Sequence, residues 1–414
     1  MREQPETQRA EQKDFSERFT RRAFCGLLMA GAALACREGR AAPGANTLAI
    51  RAETLYPVSG PPIHQGVVLV REGKITTVGA NVAIPPGART LEVKTALPGL
   101  VDPHSYLGCL YETEEGVDAV TPELRIRDAF DRSDPALGRA ARAGITTTCI
   151  MPGNGNVLAG QGSVFRLGDA PQLLRDYAAQ KVSLTAVNAQ RNPTSRAGAL
   201  ALLRRAFDSA GKGQAVSSVS QTNLLADFPT SLDERVHALL PILQGERPVF
   251  LHAPTADDIE NALRLCSDYH LKGCLLHAVE AFEVCEEIHK SGMPVILSPL
   301  HYSDNDRTLT NAAQLAKAGV RVAFCSDAPL SDPASLRLSA ALAVKFGLPT
   351  ADALRALTLT PAEACGIADR VGSLSVGKDA DLLLLNGDPI ALTSRIEGVV
   401  IGGNLIRPGG DYAR

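Results

Sequence analysis

The chain has 414 residues, 45% hydrophobic and 21% charged, with no tryptophan and a net charge of −3. That length exceeds one minimal domain, and a mildly acidic chain without a basic stripe or charge block excludes nucleic acid as the expected partner. Nine cysteines without a C-x-x-C pair exclude a readable zinc ribbon or thioredoxin-like motif.

In chain order, Thr20-Arg21-Arg22-Ala23-Phe24 looks like a twin-arginine export motif. The small and apolar run from Ala23 to Cys36 spans roughly 21 Å as a helix, short of the roughly 30 Å hydrocarbon core. It therefore reads as a signal h-region within residues 1–41, not a transmembrane span. Export to the periplasm or exterior is the expectation. Ala33-Leu34-Ala35 offers a cleavage site, and Cys36 a weaker lipid-anchoring alternative. Residues 46–96 read as short strands, with a hairpin-like turn at Glu72-Gly73.

From Ala96 onward, apolar runs alternate with helical stretches, the pattern of βαβ units. Candidate strands are 97–102, 145–151, 163–167, 182–188, 248–252, 274–277, 294–298 and 321–326. Eight is the number that closes a (β/α)₈ barrel. Thr255 and Asp258 mark a capping box before a helix. Cys149, Cys274 and Cys325 fall inside strands and read as small buried apolar residues. The tail returns to sheet at 381–385 and 399–405, and these strands suit pairing with 46–96 in one small domain built from both ends.

Chemistry concentrates at strand ends. His104, His252, His277 and Asp327 each follow an apolar run, which puts them at the carboxyl rim of a barrel. At roughly 30 residues per strand–helix unit, His252 and His277 end the fifth and sixth strands, Asp327 the eighth and His104 the first. Imidazoles and a carboxylate in that arrangement suit one divalent metal: zinc first, then manganese, iron or nickel. Asp327 is then the residue placed to take a proton from water.

The stretches PGLVDPHS, GNVLAGQGSVFRLG, FCSDAP and TPAEACGIADRVGSLSVGKDADLLLLNGDP resemble the amidohydrolase superfamily, in particular its imidazolonepropionase-related branch, over about residues 47–406. The resemblance implies a metal-dependent hydrolase of carbon–nitrogen bonds in non-peptide or cyclic amides. It implies a TIM barrel over 97–366 and a composite β-sandwich from 46–96 plus 367–410. His104 matches the first histidine of a His-x-His pair whose second position holds Tyr106, and His252, His277 and Asp327 match further ligands. The fourth strand of the family ends in a carboxylated lysine or a glutamate. On the reading of 182–188 as that strand, Asn188 stands there and Lys181 lies at the wrong, amino end. Tyr106 and Asn188 are thus the substituted ligand positions, leaving a single metal that activates water.

Gln161, His301 and Tyr302 lie in expected rim segments and are candidate contacts for a small-molecule substrate. GNGNVLAGQG lacks the order of a phosphate loop, and no G-x-S-x-G elbow is present. Two readings stay open: a metal-dependent hydrolase, and a catalytically degenerate homologue serving as a binding or scaffold protein. Homo-oligomerisation is open as well.

Overall fold

The computed structural model describes residues 46–186, 192–214, 216 and 232–406. The export segment 1–41, Cys36 within it, and Asn188 lie outside the described residues.

The chain opens with β1 (Thr47–Leu55), β2 (Ile63–Arg71), β3 (Lys74–Ala80) and β4 (Arg89–Pro98). A second set follows: β5 (Leu100–Ser105), β6 (Ile145–Ile150), β7 (Leu158–Arg166), β8 (Gln172–Ser183), β9 (Val249–His252), β10 (Gly273–Leu276), β11 (Val295–Leu297) and β12 (Val322–Phe324). Around and beyond these run α1 (Pro135–Arg142), α2 (Arg196–Gly211), α3 (Leu232–Leu243), α4 (Ala256–Tyr269), α5 (Cys285–Ser291), α6 (Asp306–Lys317), α7 (Ser335–Lys345), α8 (Thr350–Leu357) and α9 (Leu359–Ala364). The strands β13 (Leu382–Leu385), β14 (Ile396–Ile401) and β15 (Asn404–Ile406) end the described chain.

β5 to β12 lie side by side in chain order as an eight-stranded sheet. Its ends meet at the rim, where Tyr106 N–H donates to Ala328 O at 2.7 Å and Asp327 N–H to His104 O at 3.3 Å. The barrel expectation holds, with one departure. β7 runs antiparallel to both β6 and β8. Seven residues, 151–157, join β6 to β7 and five, 167–171, join β7 to β8. Parallel pairing needs a crossover of a dozen or more residues, so these short links impose hairpin-like reversals. Elsewhere the strands pair parallel, as in β8–β9 and β9–β10. Both faces of β9, β10 and β11 are covered, so their side chains are nearly all buried and mostly aliphatic. Thr255 caps α4, its Oγ1 accepting from Asp258 N–H at 3.3 Å and donating to the Asp258 carboxylate at 2.7 Å.

The fourth strand also differs from the sequence reading. β8 starts at Gln172, ten residues before the expected 182, and ends at Ser183. Its first half projects as a partly exposed hairpin arm with β7, and its second half, Ala178–Ser183, is buried. Polar Gln180, Lys181 and Ser183 in that half hid the strand from an apolar-run criterion.

β1–β4 and β13–β15 form one seven-stranded sheet, ordered β15-β14-β13-β4-β1-β2-β3. It curls until its ends meet: Ala380 N–H donates to Gly73 O at 2.8 Å and Gly403 N–H to Ala380 O at 3.1 Å. Gly73 sits at a φ of 73° with the Gly402 carbonyl 2.9 Å from where a Cβ would stand, so a larger residue there meets both strain and collision. The inner face, with Ile50, Leu55, Val68, Leu382 and Val400, makes a separate small core. The sandwich is thus a single sheet folded over on itself.

A buried ion cluster joins this sheet to the barrel. Arg166, ending β7, pairs with Asp379 and, at 3.2 Å, with Asp381. Asp379 also receives Lys74 at 2.5 Å and Arg370 at 2.8 Å. Burial pushes the Asp381 carboxyl up to about 6 despite Arg166, so this group depends on its partner to stay charged. Removing one member of a buried pair leaves the other uncompensated. Arg166→Met is therefore expected to cost about 3 kcal/mol in urea unfolding. A loss below about 0.5 kcal/mol, the size of an ordinary surface change, would show that the cluster contributes nothing.

Candidate active site at the barrel rim

Four strand ends deliver the site. His104 closes β5, His252 closes β9, and His277 and Asp327 follow β10 and β12. His277 and Asp327 both adopt positive φ, 56° and 52°. Side chains pay roughly 1–2 kcal/mol for that conformation. Here it turns the chain off the strand and aims both side chains at one point. Such strain concentrates at functional sites.

The four named residues converge. His104 Nδ1 lies 2.7 Å from Asp327 Oδ1, and His277 Nε2 lies 3.0 Å from the same oxygen. The His104 and His277 ring centroids are 4.8 Å apart, those of His252 and His277 5.2 Å. One donor atom each from His104, His277, Cys325 and Asp327 lies within 4.8 Å of the others. His252 Nδ1 sits 2.8 Å from Thr185 Oγ1; donation from that nitrogen leaves the lone pair on Nε2.

Lys181 belongs to this group, and its placement corrects the sequence reading. Because β8 ends at Ser183, Lys181 is at the carboxyl end of the fourth strand, fully buried, with Nζ 3.1 Å from His104 Nε2. A lysine flanked by strand-like residues at the carboxyl end of a long hairpin arm was the available signal. Asp102 was also missed. Fully buried, it accepts from His104 N–H at 3.3 Å and Ser326 N–H at 3.1 Å, bracing β5 against the residues after β12.

Burial sets the charge states. It pushes His104 down to about 3 and His252 to about 2, with the Lys181 charge adding to both, so both imidazoles are neutral at pH 7. Lys181 is pushed down to about 7 by burial. Burial alone would raise the Asp327 carboxyl, but hydrogen bonds from His104 and His277 outweigh it and hold the group below the usual carboxylate range. Neutral imidazoles, an ionised carboxylate and a readily deprotonated amine form a donor set that fits a zinc-type ion.

The remaining candidates sit differently. Tyr106 is buried, stands edge-on to His104 at 5.0 Å between centroids, and has its phenol raised by burial, so it packs as a neutral phenol. Cys325 Sγ lies 3.3 Å from Leu297 O and burial keeps it protonated, making it a wall of the site. Gln161 donates its amide to Pro122 O at 3.2 Å, tying β7 to the segment after β5. His301 and Tyr302 lie exposed on the segment after β11.

Comparison with known proteins follows the same lines. Residues 255–406 match the family model described as the amidohydrolase family. "Amidohydrolase tasK" of Hapsidospora irregularis is 26% identical over 79% of this chain, which spans 38% of that protein's length. An imidazolonepropionase of Aromatoleum aromaticum is 29% identical over 79% of this chain and 86% of its own. The crystal structure of an amidohydrolase from Thermotoga maritima superimposes with a TM-score of 0.76 at 27% identity, covering 87% of this chain and all of that one. Barrel, second sheet and sequence matches agree, and the chain belongs to the amidohydrolase superfamily, in its imidazolonepropionase-related branch.

Proposed function

We propose that the protein hydrolyses a carbon–nitrogen bond of a small cyclic or linear amide, using one divalent metal, zinc before manganese, iron or nickel. The observation that carries this reading is the buried rim cluster of His104, His277, Asp327 and Lys181, with His252 beside it. His252, His277, Lys181 and Asp327, with His104, are the residues to hold the ion. When bound, the metal lowers the pKa of a water and polarises the amide carbonyl.

The chain's own groups do the rest. Asp327 accepts the proton from water and returns it to the leaving nitrogen. Its carboxylate is over-stabilised while both imidazoles spend a nitrogen on it; turning either imidazole toward a ligand removes a hydrogen bond and raises its basicity. Lys181, with a pKa near 7, is partly a neutral amine. Such an amine adds carbon dioxide, forming an N–C bond and releasing one proton, and becomes a carbamate. That supplies a carboxylate at the fourth strand, where the resemblance implies one. It also answers one of the two substitutions that favour a degenerate scaffold protein, the fourth-strand one, while Tyr106 remains in the His-x-His pair. We read the twin-arginine motif as directing export, a reading that tracking the full chain's cellular fractionation tests.

Elemental analysis of protein supplied with zinc and manganese is expected to give about one metal equivalent. Release of amine or ammonia from an amide panel is expected to require it. Metal content below about a tenth of an equivalent would overturn the hydrolase reading.

A further inference from the structure

Tyr106 carries a polar group at the centre that the chemistry above does not use. Its backbone is tied on both sides: its N–H donates to Ala328 O at 2.7 Å, and its carbonyl accepts from Cys109 N–H at 3.0 Å. Side chains alternate along an extended chain, so residues 104 and 106 share a face. His104 turns that face to Asp327, and the Tyr106 ring stands edge-on to the His104 imidazole, 5.0 Å between centroids. The residue is 6% exposed, and among the described residues its hydroxyl has no hydrogen-bond partner. Of the charged groups, Asp327 acts on this phenol most strongly, in keeping with a hydroxyl on the cluster side.

Neighbouring hydroxyls are committed. Ser105 Oγ lies 2.7 Å from Thr148 Oγ1, Thr185 Oγ1 lies 2.8 Å from His252 Nδ1, and Ser326 Oγ bonds Asp102. A buried hydroxyl without a partner is unfavourable, and one at the edge of a reaction centre is completed by what binds there.

We propose that the Tyr106 hydroxyl donates to the substrate's carbonyl oxygen as the tetrahedral intermediate forms. This rests on the metal-dependent hydrolase reading above. In that reaction the water oxygen bonds to the carbonyl carbon, the π pair moves to the carbonyl oxygen, and Asp327 takes a proton from the water. When the pair returns, the carbon–nitrogen bond breaks and Asp327 gives its proton to the nitrogen. Tyr106 keeps its own proton throughout, since a phenol ionises only at about pH 10. With one metal activating the water, the oxygen that gains charge needs a further donor, and a hydroxyl fixed by its backbone meets it without reorganising. The tyrosine in the His-x-His pair thus exchanges a ligand for a donor.

Tyr106→Phe removes the oxygen and keeps the ring. Zinc content of the full chain is expected to stay at about one equivalent, with the unfolding midpoint near wild type. On the amide that the wild type turns over fastest, kcat is expected to fall about a hundredfold with KM within about threefold, because the bond strengthens only as charge develops. Methylphosphonate, a small tetrahedral oxyanion, gives a readout without turnover: titrated calorimetrically into both zinc-loaded proteins, its Kd is expected to rise about tenfold or more in the variant. A ring that only packs moves neither quantity. Either kcat or Kd within about threefold of wild type, or methylphosphonate binding to neither protein, overturns the assignment and leaves the hydrolase reading standing. Zinc below about half an equivalent in the variant makes the phenol a ligand and overturns it too. A wild type that takes up no zinc, or turns over no amide, overturns the hydrolase reading and this assignment with it.

Discussion

Asp327→Asn is expected to lower kcat about a thousandfold in metal-loaded protein, while the circular dichroism spectrum and unfolding midpoint stay near wild type. Asn is isosteric and keeps an oxygen acceptor for His104 and His277 but cannot take a proton. The backbone argument favours this variant as well. Residue 327 sits at a φ of 52°, and Asn is one of the few side chains that occupy the left-handed region readily. A loss of activity then reports chemistry rather than collapse of the segment after β12. Turnover within about tenfold of wild type would take Asp327 out of the proton-transfer role.

Lys181→Met is expected to bring metal content below about a tenth of an equivalent and turnover below detection. Lys181→Glu, which returns a carboxylate to the fourth strand, is expected to recover part of the metal. Wild-type metal content in Lys181→Met would remove Lys181 from the centre. The same residue leaves a pH signature in chelated, metal-free protein. Its folded pKa is about 7, against 10.5 for an ordinary lysine. Between these values the unfolded chain binds the extra proton, so the wild type's stability relative to Lys181→Met rises with pH from about 7 to 10.5 and is flat below. Urea titrations of both proteins at stepped pH measure that difference; a constant difference would mean that Lys181 is not held neutral by burial.

Much of the rim was legible along the chain. His252, His277 and Asp327 each follow a short aliphatic run buried on both faces, and parallel barrel strands leave that mark in any sequence. The spacing between them then placed them on one rim, because each strand–helix unit consumes a similar length of chain. Lys181 was not legible in the same way. It lies on the inner face of a strand whose buried half carries Gln180, Lys181 and Ser183, so the apolar signal failed where the site needed polar groups. The reversal of β7 was readable in principle, since seven residues cannot hold a crossover helix, but local pattern does not record strand direction.

Asp102 marks the other limit. A buried aspartate two residues before His104 carries no signal until Ser326, 224 residues later, is folded against it. Periodicity, strand-end chemistry and family-like stretches are local properties, and they settled the barrel, the second sheet and the placement of His104, His252, His277 and Asp327 on one rim. Register, strand direction and the meeting of segments distant in the chain are set by packing. Those alone brought Lys181 to His104 and bound Asp102 to Ser326 across the barrel seam.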